Sequence, residues 1–288
     1  MSDKTNRELN VDSPTVKGFG DEWSRFDQSQ LSESEHKKIF DEYFSVFPWQ
    51  TLPKNAKGVD VGCGSGRWAK LVAPKVGHLH CIDPSIALDV ARKNLSQFQN
   101  CEFHKATANA IPLDDGSLDF GYSLGVLHHI PDTQAGIKAC VNKLKPDAPF
   151  LIYLYYNLDN RPWWFRSIWQ ASNIFRNIIS CFPHSLRYII CQAIAIFIYF
   201  PLARISRLME MLSLNVSSFP LSAYRSRSFY TMRTDALDRF GTRLEKRFSR
   251  DQIRFLMEQS GLDRIKFSEH EPFWCAVGYK CSKEKVVN

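Results

Sequence analysis

Apolar and polar positions along this chain form short runs that predict strands and helices in alternation. Strands are predicted at 58–61, 78–82, 101–105, 119–124, 150–155, 263–268 and 274–280. Helices are predicted at 34–47, 67–76, 85–95, 133–144 and 249–260, with Ser249 as an N-cap and Gly261 as a C-terminal stop for the last. Strands alternating with helices at this spacing indicate an α/β fold with a mostly parallel sheet covered on both faces. The final two strands flank a short turn at 269–272, so we expect the last strand to be antiparallel.

The block 155–234 interrupts this alternation and differs in composition. It contains nine arginines and no lysine against two acidic residues, a net charge of +7, whereas 1–154 carries −2 and 235–288 carries +2. It also holds 16 aromatic residues. We therefore predict a helical insertion after the fifth strand. The predicted regions are an N-terminal tail and helix (1–54, with 1–18 loosely attached), a core (55–155 and 235–282), and the insertion (156–234).

A glycine-rich turn follows the first predicted strand. It reads Asp60-Val61-Gly62-Cys63-Gly64-Ser65-Gly66, and in an open parallel sheet such turns lie where ligands bind. Glycine allows the backbone to turn sharply and to approach a ligand closely. The dinucleotide pattern G-x-G-x-x-G requires glycine at position 67, which is Arg67 here. This spacing disfavours, without excluding, a dinucleotide-binding enzyme.

Asp83 ends the second predicted strand, 21 residues after Gly62. A carboxylate at this place is able to accept hydrogen bonds from both hydroxyls of an adenosine ribose. Taken alone, Asp83-Pro84 is equally well explained as a turn or a helix cap. Together with the glycine loop, it favours a site for an adenosyl ligand.

These segments together resemble the class I S-adenosylmethionine-dependent methyltransferases, and within them the type 11 group. The resemblance rests on the glycine loop, on Ile82-Asp83-Pro84-Ser85, on 106–113, on 114–119 and on Leu127-His128-His129-Ile130-Pro131-Asp132. It covers about 55–155 and 248–280. The resemblance implies a Rossmann-like seven-stranded sheet, S-adenosylmethionine as the cofactor, and methyl transfer as the activity. It says little about the acceptor.

The resemblance also implies roles for individual residues. Asp60 and the loop glycines Gly62, Gly64 and Gly66 would face the methionine part of the cofactor, and Asp83, followed by Pro84, would hold the ribose. Ala108 would meet the adenine through its backbone, with Thr107 beside it, and Leu124 would line the cofactor. The family often has aspartate where this chain has Thr107, so the hydroxyl is the remaining side-chain partner for the adenine amino group.

The methyl group of the cofactor is already activated, so the main task of the protein is to align an acceptor atom with it at roughly 3 Å. A general base is needed only for an acceptor that must lose a proton. His128 and His129 follow the fourth strand and are the candidate catalytic residues. The alternative is that the pair packs beneath the site. Loss of activity in His128→Ala or His129→Ala at unchanged cofactor affinity indicates a base.

The insertion is expected to recognise the acceptor. Trp164, Ile168, Ala171, Phe175 and Ile178 form one helical stripe, which we expect to pack on the core. The run 188–203 has 16 residues without a charge, shorter than the roughly 20 that a membrane span needs. A buried cap helix, a dimer contact and peripheral membrane contact through 186–207 remain open. The flanking residues Arg187, Arg204 and Arg207 suit anionic headgroups.

The candidate substrate-binding residues are Trp23, within a lid-like segment at 19–26, Trp163 at the start of the insertion, and Arg243 after it. The acceptor is predicted to be a small molecule, a glycan or a lipid-linked compound, methylated at oxygen. Nucleic acid is disfavoured, because the insertion is too apolar for a solvated groove and the fourth-strand loop lacks an Asn-Pro-Pro-Tyr-like motif. A catalytically silent binding module and a nicotinamide-dependent oxidoreductase remain as alternatives.

The eight cysteines show no paired framework, and the first residues carry no export signal. Reduced thiols and a cytoplasmic protein, with membrane association left open, are therefore expected. No cysteine or histidine pair has the spacing of metal ligands along the sequence, so no metal site is predicted.

Overall fold

The computed structural model describes residues 10–282 and contains one seven-stranded sheet. Its strands are β1 (Lys57–Val61), β2 (His78–Ile82), β3 (Cys101–His104), β4 (Phe120–Leu124), β5 (Pro149–Tyr153), β6 (Leu262–Phe267) and β7 (Ala276–Lys280). The order across the sheet is β3-β2-β1-β4-β5-β7-β6. β7 pairs antiparallel with both β5 and β6, while the other pairs are parallel. The predicted fold class is confirmed.

The helices are α1 (Ser13–Arg25), α2 (Glu33–Tyr43), α3 (Ala69–Val72), α4 (Ala87–Asn94), α5 (Thr133–Asn142), α6 (Trp163–Ile179), α7 (His184–Ile194), α8 (Phe200–Met211), α9 (Phe229–Gly241) and α10 (Arg250–Gln259). A π-helical turn, Ala195–Tyr199, joins α7 to α8. The helix predicted at 67–76 is shortened, because Pro74 leads into a 3₁₀ turn at Ala73–Lys75. Ser249 caps α10 in a reciprocal capping box with Gln252, as the sequence indicates.

Two compact units make up the chain. The first comprises 1–27, 37–157 and 244–288 and contains the sheet, and the second comprises 28–36 and 158–243 and is helical. The helical unit therefore extends past the predicted boundary at 234, because α9 packs against α6 and α7 rather than continuing the α/β core. The boundary at the N-terminal side falls inside α2.

Each face of the sheet is buried in its own apolar cluster. Phe44, Leu79, Phe120 and Tyr122 belong to the cluster on one face, and the other contains 20 buried residues, among them Val59 and Phe150. All five residues of β4 are buried, as expected for the centre of a sheet covered on both sides. This packing holds the carboxyl ends of β1, β2 and β4 rigidly beside one another.

The N-terminal segment is more ordered than the sequence predicts. Asp12 caps α1 by accepting a hydrogen bond from the backbone N–H of Thr15, and Pro14 occupies the first turn, where its missing N–H costs nothing. The expectation of a loosely attached 1–18 is thus wrong for residues 10–18. Residues 1–9 lie outside the described part of the chain.

In the helical unit, two arginines converge on the end of α9. Arg176 donates to the carbonyls of Thr242 and Arg243, at 3.0 and 3.2 Å, and Arg187 donates to the carbonyl of Gly241 at 2.9 Å. These carbonyls lie at the negative end of the helix dipole, where cations are stabilising. Arg187 is thereby engaged inside the unit, as is Arg204, which donates to the carbonyls of Arg225 and Arg227.

The outer surface of the helical unit contradicts one expectation. The stripe on α6, predicted to pack on the core, is exposed at all five positions: Trp164, Ile168, Ala171, Phe175 and Ile178. α6 instead buries Arg176 and Ile179. The continuous helix His184–Met211 has 28 residues and contains an 18-residue window with a mean hydropathy of 1.8, so by length and composition it is able to cross a membrane. This helix is longer than the uncharged run 188–203 from which a span was judged too short, and the expectation that it does not span stays a prediction.

Candidate active site

The glycine loop lies at the carboxyl end of β1. Gly62, Gly64 and Gly66 all have positive φ, at 78°, 53° and 78°. The backbone N–H groups of Gly62 and Cys63 both donate to the carbonyl of Ile82, at 2.8 and 3.0 Å. These bonds fasten the loop to the end of β2, so the two segments singled out in the sequence form one structure.

Asp83 supports this loop directly. Its carboxylate accepts hydrogen bonds from the N–H of Gly64 at 3.0 Å, from the N–H of Ser85 at 2.8 Å and from the Ser85 hydroxyl at 2.6 Å. Burial raises the pKa of Asp83, and the hydrogen bonds from Ser85 and Gly64 oppose that rise. Since a carboxylate offers about four acceptor positions, Asp83 retains capacity for a ribose hydroxyl.

Among the buried polar side chains at this edge that have no hydrogen-bond partner within residues 10–282 are the Asp60 carboxyl group and the Thr107 hydroxyl. Burial raises the pKa of Asp60 well above its usual range, while the Tyr122 hydroxyl beside it acts in the opposite direction. Buried polar groups normally find partners in the protein, in water or in a ligand. Asp60 fits the cationic methionine end of S-adenosylmethionine, and Thr107 fits the adenine amino group.

The remaining predicted cofactor residues are Pro84 and Ala108, which are half-buried, and Leu124, which is buried. Ala108 is half-buried against the second core cluster, and Pro84 is half-buried after Asp83. Leu124 ends β4 and packs in the first core cluster. Gly125, next in sequence, has φ of 78°, and no described atom lies within 4 Å of where its Cβ would be. The edge of the sheet beyond β4 is therefore open.

Helix α1 lies on the glycine loop. The Trp23 indole nitrogen is 3.0 Å from where a Cβ on Gly64 would lie, and Gly20 of the same helix is in similar close contact with Ile86. The Phe19 ring lies 4.8 Å from that of His129. Trp23, a predicted substrate-binding residue, is thus placed against the cofactor loop, where it covers Gly64.

Asn10 fastens the segment before α1, and no sequence motif predicts this role. Its amide donates to the Asn109 side chain at 2.8 Å and to the carbonyl of Asp132 at 2.7 Å, and its oxygen accepts from the Asp132 N–H at 2.7 Å. Asn109 directly follows Thr107 and Ala108, the predicted adenine contacts, and Asp132 caps α5. The contact joins positions about a hundred residues apart, so no local pattern reveals it.

The histidine pair is packed in aromatic surroundings. The His128 ring lies 3.8 Å from the His129 ring and 3.9 Å from the Tyr155 ring. Neither ring nitrogen of His128 has a hydrogen-bond partner in the described part of the chain. Burial, with His129 and Arg247 nearby, lowers the pKa of His128 well below its usual range. His128 is therefore neutral at ordinary pH.

His129 makes a directional contact that sets its tautomer. Its Nδ1 lies 2.7 Å from the carbonyl oxygen of Leu244. A carbonyl only accepts, so Nδ1 carries the proton and Nε2 is the basic nitrogen of the neutral ring. This contact joins the turn after β4 to the chain segment that returns to the core at 244.

The other two predicted substrate-binding residues lie in the helical unit. Trp163 begins α6 with 73% of its surface exposed, and Arg243 is exposed directly after α9. The backbone carbonyl of Arg243 accepts a hydrogen bond from Arg176. Their role in acceptor binding stays a prediction.

Comparison with known proteins agrees with this geometry. Residues 59–152 match the model of a methyltransferase domain. Phosphoethanolamine N-methyltransferase 2 of Caenorhabditis elegans is 30% identical over 42% of this chain and 27% of its own length. Tocopherol O-methyltransferase of Arabidopsis thaliana is 27% identical over 56% of this chain and 55% of its own length. The chain thus spans about a quarter to a half of these relatives.

A solved structure shows the same fold. A SAM-dependent methyltransferase of Thermotoga maritima aligns with a TM-score of 0.51 and 14% identity, over 92% of this chain and 100% of its own.

Proposed function

We propose that this chain, which belongs to the class I S-adenosylmethionine-dependent methyltransferases, methylates an oxygen atom of a lipid-linked acceptor at a membrane surface. The observation that carries the methyltransferase part is the pair of buried carboxylates, Asp60 and Asp83, set around a loop of three positive-φ glycines. Asp60 would face the methionine end of the cofactor. Asp83 would hold the ribose, and Thr107 and Ala108 would contact the adenine.

Bound S-adenosylmethionine supplies a methyl group on a positively charged sulfur. An acceptor hydroxyl that received this methyl group would lose its proton to a base of this chain, and S-adenosylhomocysteine would be left in the cofactor site. The residues of this chain hold the reactants in line and exclude water. Helix α1, with Trp23 over Gly64, supports the exclusion of water from the cofactor loop.

We assign the role of base to His129 in preference to His128. Its Nδ1–H bond to Leu244 leaves Nε2 as the basic nitrogen, whereas His128 makes no such orienting hydrogen bond within the described residues. General base catalysis contributes typically 10²- to 10⁴-fold. We expect His129→Gln to lower kcat by about 100-fold at unchanged affinity for S-adenosylmethionine, measured by calorimetry.

His128→Gln is the matched control, because it removes the adjacent imidazole ring and leaves the proposed base, His129, in place. Full activity of His129→Gln would remove the base from the proposal. Loss of cofactor affinity in that variant would instead indicate a packing role.

Oxygen as the acceptor atom is supported by the names of two relatives. Tocopherol O-methyltransferase and the ubiquinone biosynthesis O-methyltransferase of Aromatoleum aromaticum are both named for methylation at oxygen, the latter 32% identical over 31% of this chain and 39% of its own length. The phosphoethanolamine relative is named for methylation at nitrogen. A carboxylate or hydroxyl acceptor is therefore the first class to test.

The lipid-linked acceptor is supported by the exposed apolar surface of the helical unit. On α6 it includes Phe175, 63% exposed, and on the His184–Met211 helix it includes Phe197, 75% exposed. The full set of large exposed apolar residues in the three helices is Trp163, Trp164, Ile168, Ile174, Phe175, Ile178, Leu186, Ile189, Ile196, Phe197, Ile198, Phe200, Ile205, Leu208 and Met211. So much exposed apolar surface is unusual for a monomer and marks an interaction site.

The opposite side of the His184–Met211 helix favours lying on a membrane over crossing it. Cys191, Ala195, Tyr199, Ala203 and Ser206 form a buried stripe at spacings of three and four. α7 packs against α9, which carries Asp235, Asp238 and Arg239. A spanning helix would draw these charges into the bilayer, where each is costly. An interfacial helix buries only its exposed side.

Charge favours an anionic membrane as the occupant of this surface. The block 155–234 has a net charge of +7, and Arg166 on α6 and Arg207 on α8 are exposed among the apolar residues. Basic residues near an anionic surface contribute about 1 kcal/mol each. Arg187 and Arg204 donate hydrogen bonds to carbonyls of their own unit. The membrane proposal is therefore supported by the exposed Arg166 and Arg207 and by the apolar side chains, and not by Arg187 and Arg204.

Incubation with S-adenosylmethionine labelled in its methyl group tests the activity. We expect label to pass into the organic phase of a lipid extract, at oxygen, and not into water-soluble metabolites. Calorimetry on the same protein should show binding of S-adenosylmethionine and S-adenosylhomocysteine but not of NAD. Binding without transfer to either extract would support a silent binding module, and label only in the aqueous extract would overturn the lipid acceptor.

Vesicle co-sedimentation tests the surface separately. We expect the protein to bind vesicles of phosphatidylcholine with phosphatidylglycerol, and less strongly at high salt or on phosphatidylcholine alone. Phe175→Asp with Phe197→Asp should weaken that binding by roughly tenfold or more, since each buried aromatic contributes about 1.5–3 kcal/mol. Phe255→Asp, at a 57% exposed position of α10 in the other unit, is the matched control.

Two results would contradict the membrane proposal. One is absence of vesicle binding by the unaltered protein. The other is a concentration-dependent dimer that the same double substitution disrupts, which would identify a second copy of the chain as the occupant.

A further inference from the structure

Four side chains capable of binding a metal lie together on one face of the sheet, near its β3 edge. His78 and His80 lie on β2, and Glu102 and His104 lie on β3. His80 pairs with Glu102, and Ile82 pairs with His104 in the parallel register. Because side chains two apart on a strand point the same way, all four share one face. No cofactor residue is among them.

The distances between their ligand atoms suit one metal ion. His78 Nε2 lies 3.3 Å and His80 Nδ1 lies 3.5 Å from the same oxygen, Glu102 Oε2. The three ligand atoms all lie within 4.8 Å of one another. Ligands about 2.0–2.1 Å from a tetrahedral zinc ion are separated by about 3.3 Å. The separations of 3.3 and 3.5 Å from Glu102 Oε2 are close to this value, and a small rotation of the His78 or His80 ring would close the third.

His104 lies next to this group. Its Nε2 is 3.1 Å from His80 Nδ1 and 3.4 Å from Glu102 Oε1. The cluster is therefore three imidazoles around one carboxylate, a donor set that suits zinc and neighbouring transition metals and not magnesium or calcium.

The site is accessible from solvent but held in place. The side chains of His80 and His104 are 12% and 15% exposed, while His78 and Glu102 are 33% and 54% exposed. The two less exposed side chains, His80 and His104, are fixed by the sheet, and the more exposed His78 and Glu102 leave an entry path and room for a water ligand. Such an arrangement is typical of a metal site open at one coordination position.

We propose that His78, His80 and Glu102, with His104 beside them, bind one divalent transition-metal ion of the zinc class at the edge of the sheet. The ion ties β3, the edge strand, to β2. This site lies outside the methyltransferase chemistry, so its failure would leave the proposed function standing. Sequence spacing does not reveal it, because the ligands come in two i, i+2 pairs from strands about 20 residues apart.

Titration of the full-length, reduced protein with Zn²⁺ tests the proposal. We expect one ion per chain with high affinity and a rise in Tm on its addition, since a ligand that binds only the folded state stabilises it. His80→Asn and Glu102→Gln should each weaken binding by about tenfold or more and abolish the rise in Tm. His270→Gln, a histidine outside the cluster, is the matched control and should change neither.

The eight cysteine thiols, none of them in a disulfide, are the competing zinc ligands. Titration with Co²⁺ distinguishes them, because thiolate ligation gives an ultraviolet charge-transfer band that an imidazole and carboxylate site lacks. Absence of binding, a thiolate band, or unchanged affinity in both His80→Asn and Glu102→Gln would overturn the proposal. The last result would show that the four side chains only form hydrogen bonds with one another.

Discussion

Replacing Asp83 with alanine is expected to weaken the binding of S-adenosylmethionine by roughly 100-fold, equivalent to about 2.7 kcal/mol. The side chain fixes Gly64 and Ser85 through three hydrogen bonds and would also accept from the ribose. Bonds to a charged acceptor contribute about 1.5–3 kcal/mol each. Alanine removes the ribose partner and leaves the N–H of Gly64 without its acceptor. Isothermal calorimetry with S-adenosylmethionine and S-adenosylhomocysteine measures the loss.

Asp89→Ala is the control for this substitution. Asp89 is an exposed residue of α4, ion-paired with Arg92 at 3.1 Å, and its removal should leave the affinity unchanged. Asp83→Asn retains acceptor oxygen without charge and should fall between the two. An Asp83→Ala protein that is folded by circular dichroism and binds within threefold of the unaltered chain would contradict the assigned role.

Gly62→Ala is expected to destabilise the fold by about 2–5 kcal/mol and to abolish cofactor binding. Two effects add. Alanine at a φ of 78° is strained by roughly 1–2 kcal/mol, and its Cβ would lie 2.4 Å from a methyl of Val126. Overpacking of this kind costs about 1–3 kcal/mol. Urea denaturation measures the stability, and calorimetry measures the binding.

Gly116→Ala separates the two effects. Gly116 also has positive φ, 69°, but the nearest atom to its Cβ would be the Leu144 carbonyl oxygen, at 4.0 Å. It should show the backbone strain alone and full cofactor binding. Val126→Ala combined with Gly62→Ala should recover part of the stability. Equal destabilisation by Gly62→Ala and Gly116→Ala would show that the contact with Val126 is unimportant.

The sheet and its helices were predictable because burial on both faces produces apolar runs that sequence periodicity detects. The antiparallel direction of β7 also followed from a short turn. Boundaries were less predictable where a single residue decides them. Pro74 shortened one helix, and α9 joined the helical unit because of its tertiary packing, which no local pattern reports.

The cofactor edge was predictable to the extent that its residues are close in sequence to strand ends. The Gly62–Gly66 loop and Asp83 met as expected, since carboxyl ends of neighbouring parallel strands share one edge. Asn10 was not predictable, because it acts on Asn109 and Asp132 across the chain. The His78–Glu102 cluster was missed for a related reason: cross-strand register, unlike spacing along one strand, is not visible in the sequence.

The helical unit shows what periodicity leaves undecided. The stripe through Trp164 and Phe175 was correctly predicted to lie on one face of a helix, but it is exposed, because α6 packs through Arg176 and Ile179 instead. An apolar stripe identifies a face and not its partner. Arg187, Arg204 and Arg207 likewise matched the composition expected of a headgroup site. Of these, Arg187 and Arg204 donate hydrogen bonds to backbone carbonyls of their own unit.

The Asn10 contact bears on the order in which the chain folds. Asn109 and Asp132 must already be in place before Asn10 is able to bind them, and α1 then covers a glycine loop that the sheet has positioned. Contacts between residues so far apart in sequence bear a loop-closure cost, as the pairing of β5 with β7 also does. Because Asn10 fastens the segment before α1 and α1 covers Gly64, we expect local release of this segment to uncover the glycine loop.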